Sequence, residues 1–211
     1  MDKSDVRGKN LRLILARHGE TLWNRDRKIQ GITDIGLSDL GMEQAKKLAL
    51  SLQNEKLDAI ITSPLERAYE TARIIGTYHD LSIAVENDLQ ELDVGKLGGM
   101  TFTELMVMYP EFLGQWMLDN ASVVMPHGES LMELQERVWP VIQRICKNAE
   151  NALIVSHNFV IITILCKIQN FSLSHTTKIR VSLASKTHID FKNGTGNIVL
   201  FNDTAHLHDC S

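Results

Sequence analysis

The stretch LRLILARHGETLWN, residues 11–24, decides which fold the sequence predicts. It runs a mostly apolar segment, residues 11–16, directly into the tetrapeptide RHGE, residues 17–20. Such a short apolar run is too brief for a helix and too continuous for a strand with one face in water, so it predicts a buried strand of a parallel sheet. The strand ends on Arg17 and His18, a guanidinium beside an imidazole, and this end is therefore the first place to look for a function.

Two further runs have the same character, residues 58–62 and residues 152–155. Apolar residues also recur at helical spacing in two stripes, one formed by Ala45, Leu48, Ala49 and Leu52, the other by Leu65, Ala68, Ala72 and Ile75. Strands that alternate with helices predict an α/β fold, here three layers, α/β/α, with a mostly parallel central sheet.

Two helices carry signals at or near their starts. Ser63 is placed to cap the second of the helices above, and Pro64 to take its first position, where a missing N–H costs nothing. A later apolar stripe over residues 129–149 opens with S-x-x-E, the spacing of a capping box. Pro140 inside that stripe predicts a helix that is kinked or split.

Two further segments complete the predicted domain, which spans residues 1–211. Residues 92–128 are rich in glycine, Met and aromatic side chains, which predicts a helical insertion that forms a lid over the active site. Asn193-Gly194, between two β-rich runs, predicts a terminal hairpin. Its edge is one that a second copy could pair with, so a homodimer is one expectation.

The composition argues against several classes of protein. A formal net charge of -4 with mixed signs gives no basic patch for nucleic acid, and no segment is polybasic or amphipathic in the way that a membrane surface requires. The first apolar run is too short for a signal peptide. Cys146, Cys166 and Cys210 lack CxxC spacing, which argues against a disulfide framework. Together these features predict a cytoplasmic protein.

Polar residues follow all three predicted parallel strands. Arg17 and His18 follow the first, Arg67 comes shortly after the second, and Ser156 and His157 end the third. The carboxyl ends of parallel strands lie along one edge of an open sheet, where ligands bind. Guanidinium groups match phosphate oxygens, and helix N-termini supply further N–H donors. The sequence therefore predicts a crevice that binds a phosphoryl group.

His18 has two possible roles when its sequence context alone is considered. An imidazole with one unprotonated nitrogen is a nucleophile near neutral pH, so His18 could become phosphorylated. Alternatively, it caps or hydrogen-bonds a loop, as most single histidines do. Its position directly after Arg17 at a strand end favours the nucleophile.

Several motifs occur in the order, and near the spacings, of one known family. They are LARHGETLWN at residues 15–24, ITSPLERAYETA at 61–72, LQELDVGKLGG at 89–99, PHGES at 126–130, LIVSHN at 153–158 and FNDTAHL at 201–207. The chain thereby resembles the histidine phosphatase superfamily, also called phosphoglycerate mutase-like, over about residues 11–205. RHGE followed by SPLxRAxxTA is specific for this family, whereas either motif alone would be only suggestive.

The resemblance implies catalytic roles for five residues. His18 corresponds to the nucleophile that is phosphorylated, and Arg17 and Arg67 correspond to the clamps on the phosphate. His157 is implied to bond the transferring group and to stabilise its charge. Glu91 corresponds to the carboxyl that protonates the leaving oxygen and later activates water.

The resemblance also implies substrate-binding residues. Asn24 matches a position that hydrogen-bonds the phosphoryl oxygens, and Thr21 is near enough to contribute. The loop around Trp23 is expected to form part of the lid. Asn158 stands where the family has glycine, and because Asn tolerates left-handed backbone angles, the turn can survive with a polar group on the rim of the pocket.

PHGES departs from the family pattern, because His127 stands where glycine is common. His127 either contacts substrate or faces water, and the second reading is the simpler. Glu129 is interpreted as a carboxylate at a helix start rather than as a catalytic group.

Three functions stay open at this stage. The chain lacks the longer insertion after the acid that mutases of this family carry, so the resemblance implies the phosphatase branch and a small-molecule phosphomonoester as the ligand. A phosphoglycerate mutase, which transfers the phosphoryl group between hydroxyls, is the first alternative. A sensor that binds a phosphorylated ligand without turnover is the second, because function depends on the site and not on the fold.

No metal or other cofactor is expected. His206 and His208 have no Asp or Cys partners at ligand spacing and are interpreted as solvated residues near the terminus. Arginines and imidazoles supply the positive charge that magnesium supplies in other phosphoryl-transfer enzymes.

Overall fold

The computed structural model describes residues 10–208 and is built on a six-stranded sheet of order β3-β2-β4-β1-β5-β6. The strands are β1 (Leu11–Arg17), β2 (Ala59–Thr62), β3 (Ile83–Val85), β4 (Asn151–Ser156), β5 (Lys186–Lys192) and β6 (Thr195–Asp203). The first four pair in parallel, while β5 runs antiparallel to β1 and to β6. The predicted mostly parallel sheet is confirmed, and β3 is an edge strand that the sequence analysis did not predict.

Eight α-helices accompany the sheet over the described residues. They are α1 (Leu22–Arg25), α2 (Asp39–Leu52), α3 (Glu66–Gly76), α4 (Phe102–Met108), α5 (Pro110–Leu118), α6 (Leu131–Asn148), α7 (Asn158–Gln169) and α8 (Ala205–His208). Short 3-10 helices lie at Asn87–Leu89, Gly95–Leu97 and Leu173–Lys178. None of the helices in this part of the chain is both long and apolar enough to cross a bilayer.

Alternate side chains of the central strands enter two separate cores. Leu13 and Leu15 of β1 pack with α6 and α7 on one face, whereas Ile14 and Ala16 pack with α2 and α3 on the other. Because successive residues of a strand point to opposite faces, a continuous apolar run is what a sheet covered on both sides requires. The helices therefore flank the sheet, as the apolar run of β1 predicts.

The predicted start of α3 is wrong by two residues. The helix begins at Glu66 with Leu65 as its N-cap, and Pro64 lies before it. Ser63 Oγ instead accepts from the Leu65 N–H at 3.3 Å and lies 2.7 Å from Nε2 of His157. Ser63 therefore stabilises the loop between β2 and α3 instead of capping the helix, because its hydroxyl is hydrogen-bonded to the buried imidazole of His157.

The long helix α6 is not split at Pro140, which lies inside it. A proline removes one N–H from the helix and leaves one carbonyl without its usual partner. The carbonyl is that of Glu136, and both Glu136 and Pro140 lie on the exposed side of the helix. The remaining hydrogen bonds and the buried apolar stripe keep one continuous helix from Leu131 to Asn148.

The terminal hairpin is confirmed. Asn193 and Gly194 join β5 to β6 with φ angles of 52° and 79°, the left-handed pair that a type I′ turn requires. The segment predicted as a helical insertion, residues 92–128, contains α4 and α5.

Candidate active site

Two histidines from different strands lie side by side at one edge of the sheet. Arg17 ends β1 opposite Ser156, which ends β4, so His18 and His157 leave the sheet together. The backbone N–H of His18 donates to the Ser156 carbonyl at 3.1 Å. The ring centroids are 5.2 Å apart and the ring planes are inclined by 57°. The parallel register thus brings these segments together as the sequence predicts.

The hydrogen bond of His18 fixes its tautomer. Nδ1 lies 2.7 Å from the Gly19 carbonyl oxygen, which can only accept, so Nδ1 carries the proton and Nε2 keeps its lone pair. Burial lowers the pKa of His18 well below its ordinary value, and the charges of Arg17 and Arg67 lower it further. His18 is therefore a neutral imidazole at neutral pH.

Two glycines allow the loop that carries His18 to lie against the start of α2. A Cβ on Gly19 would overlap the carbonyl oxygen of Gly41, and a Cβ on Gly41 would overlap that of Glu20. Glu20 also accepts from Ser38 Oγ at 2.8 Å, and Ser38 is the N-cap of α2. This close approach of two backbones explains the glycine that follows His18.

Arg67, in the first turn of α3, is fully buried. Its Nη1 donates to the Thr33 carbonyl at 2.9 Å, its Nη2 to the Gly31 carbonyl at 2.7 Å, and its Nε to Nδ1 of His157 at 3.3 Å. Burial lowers the pKa of Arg67 to about 10, so the guanidinium stays charged near neutral pH. Its plane is held rigidly by backbone carbonyls, which preorganises it for an anion.

Arg17 is the second guanidinium of the site. Its Nη1 donates to the Val181 carbonyl at 2.6 Å, while its buried Nε finds no acceptor among residues 10–208. Burial lowers the pKa of Arg17 to about 10, and the Glu91 carboxylate opposes that effect. Arg17 is partly buried, and a cation with an unused buried donor is well suited to bind an anionic ligand.

Both ring nitrogens of His157 have partners. Nδ1 accepts from Arg67 Nε, so in the neutral ring Nε2 carries the proton and donates to Ser63 Oγ at 2.7 Å. Burial lowers the pKa of His157 well below its ordinary value, and the positive charge of Arg67 lowers it further. His157 therefore braces the Arg67 guanidinium.

Glu91 is a nearly fully buried carboxyl, with 4% of its surface exposed. It accepts from the Leu92 N–H at 2.8 Å and from the Phe159 N–H, in the first turn of α7, at 3.2 Å. Burial raises the pKa of Glu91, although the two N–H groups and the charges of Arg67 and Arg17 act in the opposite direction. The net upward shift is the one that a proton donor near neutral pH requires.

An ion pair that the sequence analysis missed fixes the loop that carries Glu91. Nη2 of Arg137 lies 2.6 Å from Glu129 Oε1 and 3.0 Å from the Glu91 carbonyl oxygen, and Nη1 donates to the Asp88 carbonyl at 2.7 Å. Glu129 also accepts from the Asp93 N–H at 2.9 Å. Glu129 is thus a structural carboxylate that precedes α6, in agreement with the interpretation from sequence.

A cavity of about 250 Å³ lies at this edge of the sheet. It is lined by Arg17, His18, Asn24, Lys28, Ile29, Gln30, Arg67, Glu91, Val94, Asn158 and Phe159. Six of these are candidate residues from the sequence. The other five, Lys28, Ile29, Gln30, Val94 and Phe159, were not predicted. The first three lie outside the motifs that carry the resemblance, and Val94 and Phe159 have apolar side chains that do not indicate catalysis.

Gln30 joins the predicted binding residues to Arg67. With its amide oriented to satisfy its neighbours, its oxygen accepts from Arg67 Nη1 at 3.0 Å and its nitrogen donates to Thr21 Oγ1 at 2.8 Å. Thr21 is fully buried and caps α1, where it exchanges hydrogen bonds with Asn24. Thr21 therefore lies behind the cavity wall and positions Asn24, which lies on the wall.

Of the predicted substrate-binding residues Trp23 and Asn158, only Asn158 lines the cavity. Trp23 packs towards Gly99 and lies outside the cavity lining. Asn158 lines the cavity as the first residue of α7 and has an ordinary helical backbone, so the left-handed turn anticipated for it is not present.

Three histidines discussed from the sequence, His127, His206 and His208, are not among the residues that line this cavity. His127 is exposed, with a left-handed φ of 62°. The prediction that His206 is solvated is wrong: it is buried, and its Nε2 lies 3.0 Å from the Ala184 carbonyl oxygen, whereas His208 is exposed. No cluster of three or more His, Cys, Asp or Glu side chains within residues 10–208 is arranged to hold a metal ion.

Comparisons with known proteins identify the family of the chain. A profile of the histidine phosphatase superfamily, branch 1, matches residues 13–204. Phosphoserine phosphatase 1 of Hydrogenobacter thermophilus is 34% identical over 199 residues, which cover 93% of this chain and 94% of the relative.

Two solved structures share the fold closely. Bacillus stearothermophilus YhfR has a TM-score of 0.86 and 29% identity, with 94% of this chain and all of that chain covered. A phosphoserine phosphatase mutant from Entamoeba histolytica, solved in complex with phosphoserine, has a TM-score of 0.82 and 31% identity, with 93% and 99% covered. The chain therefore belongs to branch 1 of the histidine phosphatase superfamily and is a phosphatase of that type.

Proposed function

We propose that this protein hydrolyses small phosphorylated metabolites, with broad specificity, through a phosphohistidine intermediate on His18. One observation carries the proposal: a neutral imidazole with an unprotonated Nε2 lines the same cavity as a fully buried guanidinium, a partly buried guanidinium and a buried carboxyl of raised pKa. Nucleophile, anion clamp and proton donor are the three parts that transfer of a phosphoryl group needs.

In the first step, Nε2 of His18 attacks phosphorus as the bond from phosphorus to the ester oxygen breaks. Arg17 and Arg67 stabilise the negative charge on the remaining phosphoryl oxygens. Glu91 gives its proton to the departing oxygen, so the alcohol leaves neutral and Glu91 becomes a carboxylate. The products of this step are an alcohol and phosphorylated His18.

In the second step, water replaces the alcohol. The Glu91 carboxylate takes a proton from water as the water oxygen attacks phosphorus, and the bond from phosphorus to Nε2 breaks. Inorganic phosphate forms, His18 regains its lone pair, and Glu91 regains its proton. The cycle uses no metal, because Arg17 and Arg67 supply the positive charge.

An assay of the acceptor tests the proposal against its two alternatives. With p-nitrophenyl phosphate and a panel of phosphorylated metabolites, in the presence of EDTA, we expect inorganic phosphate to be released in equal amount to the alcohol. Isomerised phosphoglycerate without release of phosphate would indicate a mutase. Binding without any release above the His18→Ala background would indicate a sensor, and activity that EDTA abolishes and a divalent ion restores would overturn the metal-free cycle.

A prediction for Glu91 follows from its raised pKa. The first step needs the protonated carboxyl, so kcat/KM should fall as pH rises through that pKa, and the limb that Glu91 controls lies on the alkaline side. Glu91→Gln should remove this limb and lower kcat/KM for an alkyl phosphate by about 10²–10⁴-fold. The loss should be much smaller for p-nitrophenyl phosphate, whose leaving group needs little protonation.

The control for Glu91→Gln is Glu133→Gln. Glu133 is an exposed member of the capping box of α6, and Gln serves in that motif as Glu does. Its pH profile should match that of the wild type. An alkaline limb that persists in Glu91→Gln, or equal losses for both substrates, would remove Glu91 from the role of proton donor.

A further inference from the structure

The motif FNDTAHL, residues 201–207, contributes none of the described residues that line the catalytic cavity. It spans the end of β6 and most of α8. Two of its polar side chains are nevertheless withdrawn from water, since Asn202 is half-buried and His206 is buried. Both make hydrogen bonds to the segment of residues 181–185, which directly precedes β5 and which we call the 181–185 loop.

The 181–185 loop contacts both residues that end β1 and begin the catalytic loop. The Val181 carbonyl accepts from Nη1 of Arg17 at 2.6 Å, which is the one hydrogen bond that the Arg17 side chain makes in the described chain. The backbone N–H of Ala184 donates to the His18 carbonyl at 3.0 Å. The orientation of the Arg17 guanidinium therefore depends on the direction of the Val181 carbonyl.

Asn202 fixes the peptide group to which the Val181 carbonyl belongs. Its Oδ1 accepts from the backbone N–H of Ser182 at 2.7 Å, and that N–H lies in the same planar peptide group as the Val181 carbonyl. Because the group is planar, a partner that holds its N–H also sets the direction of its carbonyl oxygen. The bonded N–H also polarises the carbonyl, which strengthens the hydrogen bond to Arg17.

Backbone geometry shows that these contacts are imposed by the fold. Asn202 and Ala184 have left-handed backbones, with φ angles of 50° and 51°, and a residue other than glycine keeps that conformation only where its surroundings hold it. The N–H of Asn202 donates to Thr187 Oγ1 at 3.0 Å. The Ala184 carbonyl accepts from Nε2 of His206 at 3.0 Å. We call Asn202 and His206 the C-terminal support.

We infer that the C-terminal support positions Arg17 for the phosphoryl group, with Asn202 as the principal positioning residue. The inference rests on the proposed function, because it requires Arg17 to bind phosphoryl oxygens. With Nη1 held by Val181, the plane of the guanidinium is set and the buried Nε is left for an oxygen of the ligand. Arg67 is held by carbonyls of a different loop, so the support acts on one guanidinium of the site.

The alternative is that the C-terminal support only stabilises the fold. A buried polar side chain with a hydrogen-bond partner contributes to stability wherever it lies. Its loss would then lower the temperature of unfolding, and any change in phosphate affinity would be the same with and without the Arg17 side chain. A double-mutant cycle separates the two possibilities, because residues that act through one contact have effects that do not add.

The experiment measures the Kd of inorganic phosphate by calorimetry for the full chain, as wild type, Asn202→Gly, Arg17→Ala and the double variant. Glycine suits the left-handed backbone at this position, so Asn202→Gly removes the side chain without adding strain. In the presence of Arg17, Asn202→Gly should raise the Kd by about tenfold, the low end for one hydrogen bond to a charged group. In the Arg17→Ala background, it should change the Kd by less than about twofold.

Two further variants guard against effects on folding. Asn197→Gly is the matched control, because it is the same substitution at an exposed residue of β6, and it should bind phosphate as the wild type does. If Asn202→Gly fails to fold, His206→Ala takes its place in the cycle, since it removes the other contact of the C-terminal support. Its control is His208→Ala, at an exposed residue of the same short helix.

The outcomes separate this inference from the proposed function. If Arg17→Ala bound phosphate as tightly as the wild type, Arg17 would not hold the phosphoryl group, and its role in the proposed function would be overturned. If Arg17→Ala weakened binding but the loss of the C-terminal support did not, the inference alone would be overturned. An equal rise of the Kd in both backgrounds would also overturn the inference, because the support would then act without Arg17.

Discussion

His18→Ala should lower turnover by on the order of 10⁴ or more, the scale at which loss of a nucleophile acts in covalent catalysis. Nδ1 of His157 uses its lone pair to accept a hydrogen bond from Arg67, so Nε2 of His18 is the unprotonated nitrogen of this histidine pair that can attack phosphorus. Alanine removes that lone pair and leaves the guanidinium groups in place. Binding of inorganic phosphate should therefore persist while turnover is lost.

The control for this variant is His208→Ala, which removes an exposed histidine near the end of the described chain. Rapid quenching of the wild type with substrate should trap a phosphoryl group on His18 that is stable in alkali and labile in acid. His18→Ala should trap none. A variant that keeps most of its turnover, or a label found on another side chain, would contradict the nucleophilic role.

Much of the fold could be predicted because its strands have a simple physical signature. The apolar runs that became β1, β2 and β4 are covered by helices on both faces, so nearly every residue in them is apolar. β3 escaped prediction because it is short, lies at the edge of the sheet, and exposes Ala84 and Val85. Edge strands lack the pattern that two-sided burial imposes.

The candidate site could be predicted where its residues follow buried strands. Arg17, His18 and His157 each stand at or just past the end of a strand, so parallel register alone brings them to one edge. The other groups at this edge have ordinary sequence contexts. Gln30 lies in a loop, and the pairing of Arg137 with Glu129 depends on where α6 packs, which no local pattern reveals.

Two corrections have a common cause. Ser63 was predicted to cap α3 and His206 to face water, and both judgements used local sequence alone. The structure gives each residue a buried partner far away in sequence, His157 for Ser63 and the Ala184 carbonyl for His206. A polar side chain that is buried must find a hydrogen-bond partner, and the fold decides which partner is within reach.

Arg67→Ala should lower kcat by about 10²–10³-fold, the loss expected when one preorganised donor to a developing negative charge is removed. The guanidinium is fully buried and is held by the carbonyls of Gly31 and Thr33. Alanine would leave both carbonyls and Nδ1 of His157 without their hydrogen-bond donor, so the variant should also unfold at a lower temperature. Thermal unfolding must therefore be measured beside kcat, with enzyme kept well below the transition.

Arg67→Lys separates catalysis from stability. Lysine retains the positive charge but cannot reach two carbonyls, an imidazole and a phosphoryl oxygen from one rigid plane, so it should recover part of the stability and little of kcat. Arg73→Ala is the matched control, because Arg73 lies on the same helix, is exposed, and pairs only with Glu70 among the residues described. Since exposed ion pairs contribute little, that variant should keep the wild-type kcat. If Arg67→Lys turned over as fast as the wild type, a simple positive charge would suffice and the rigid guanidinium would have no part in stabilising the transition state.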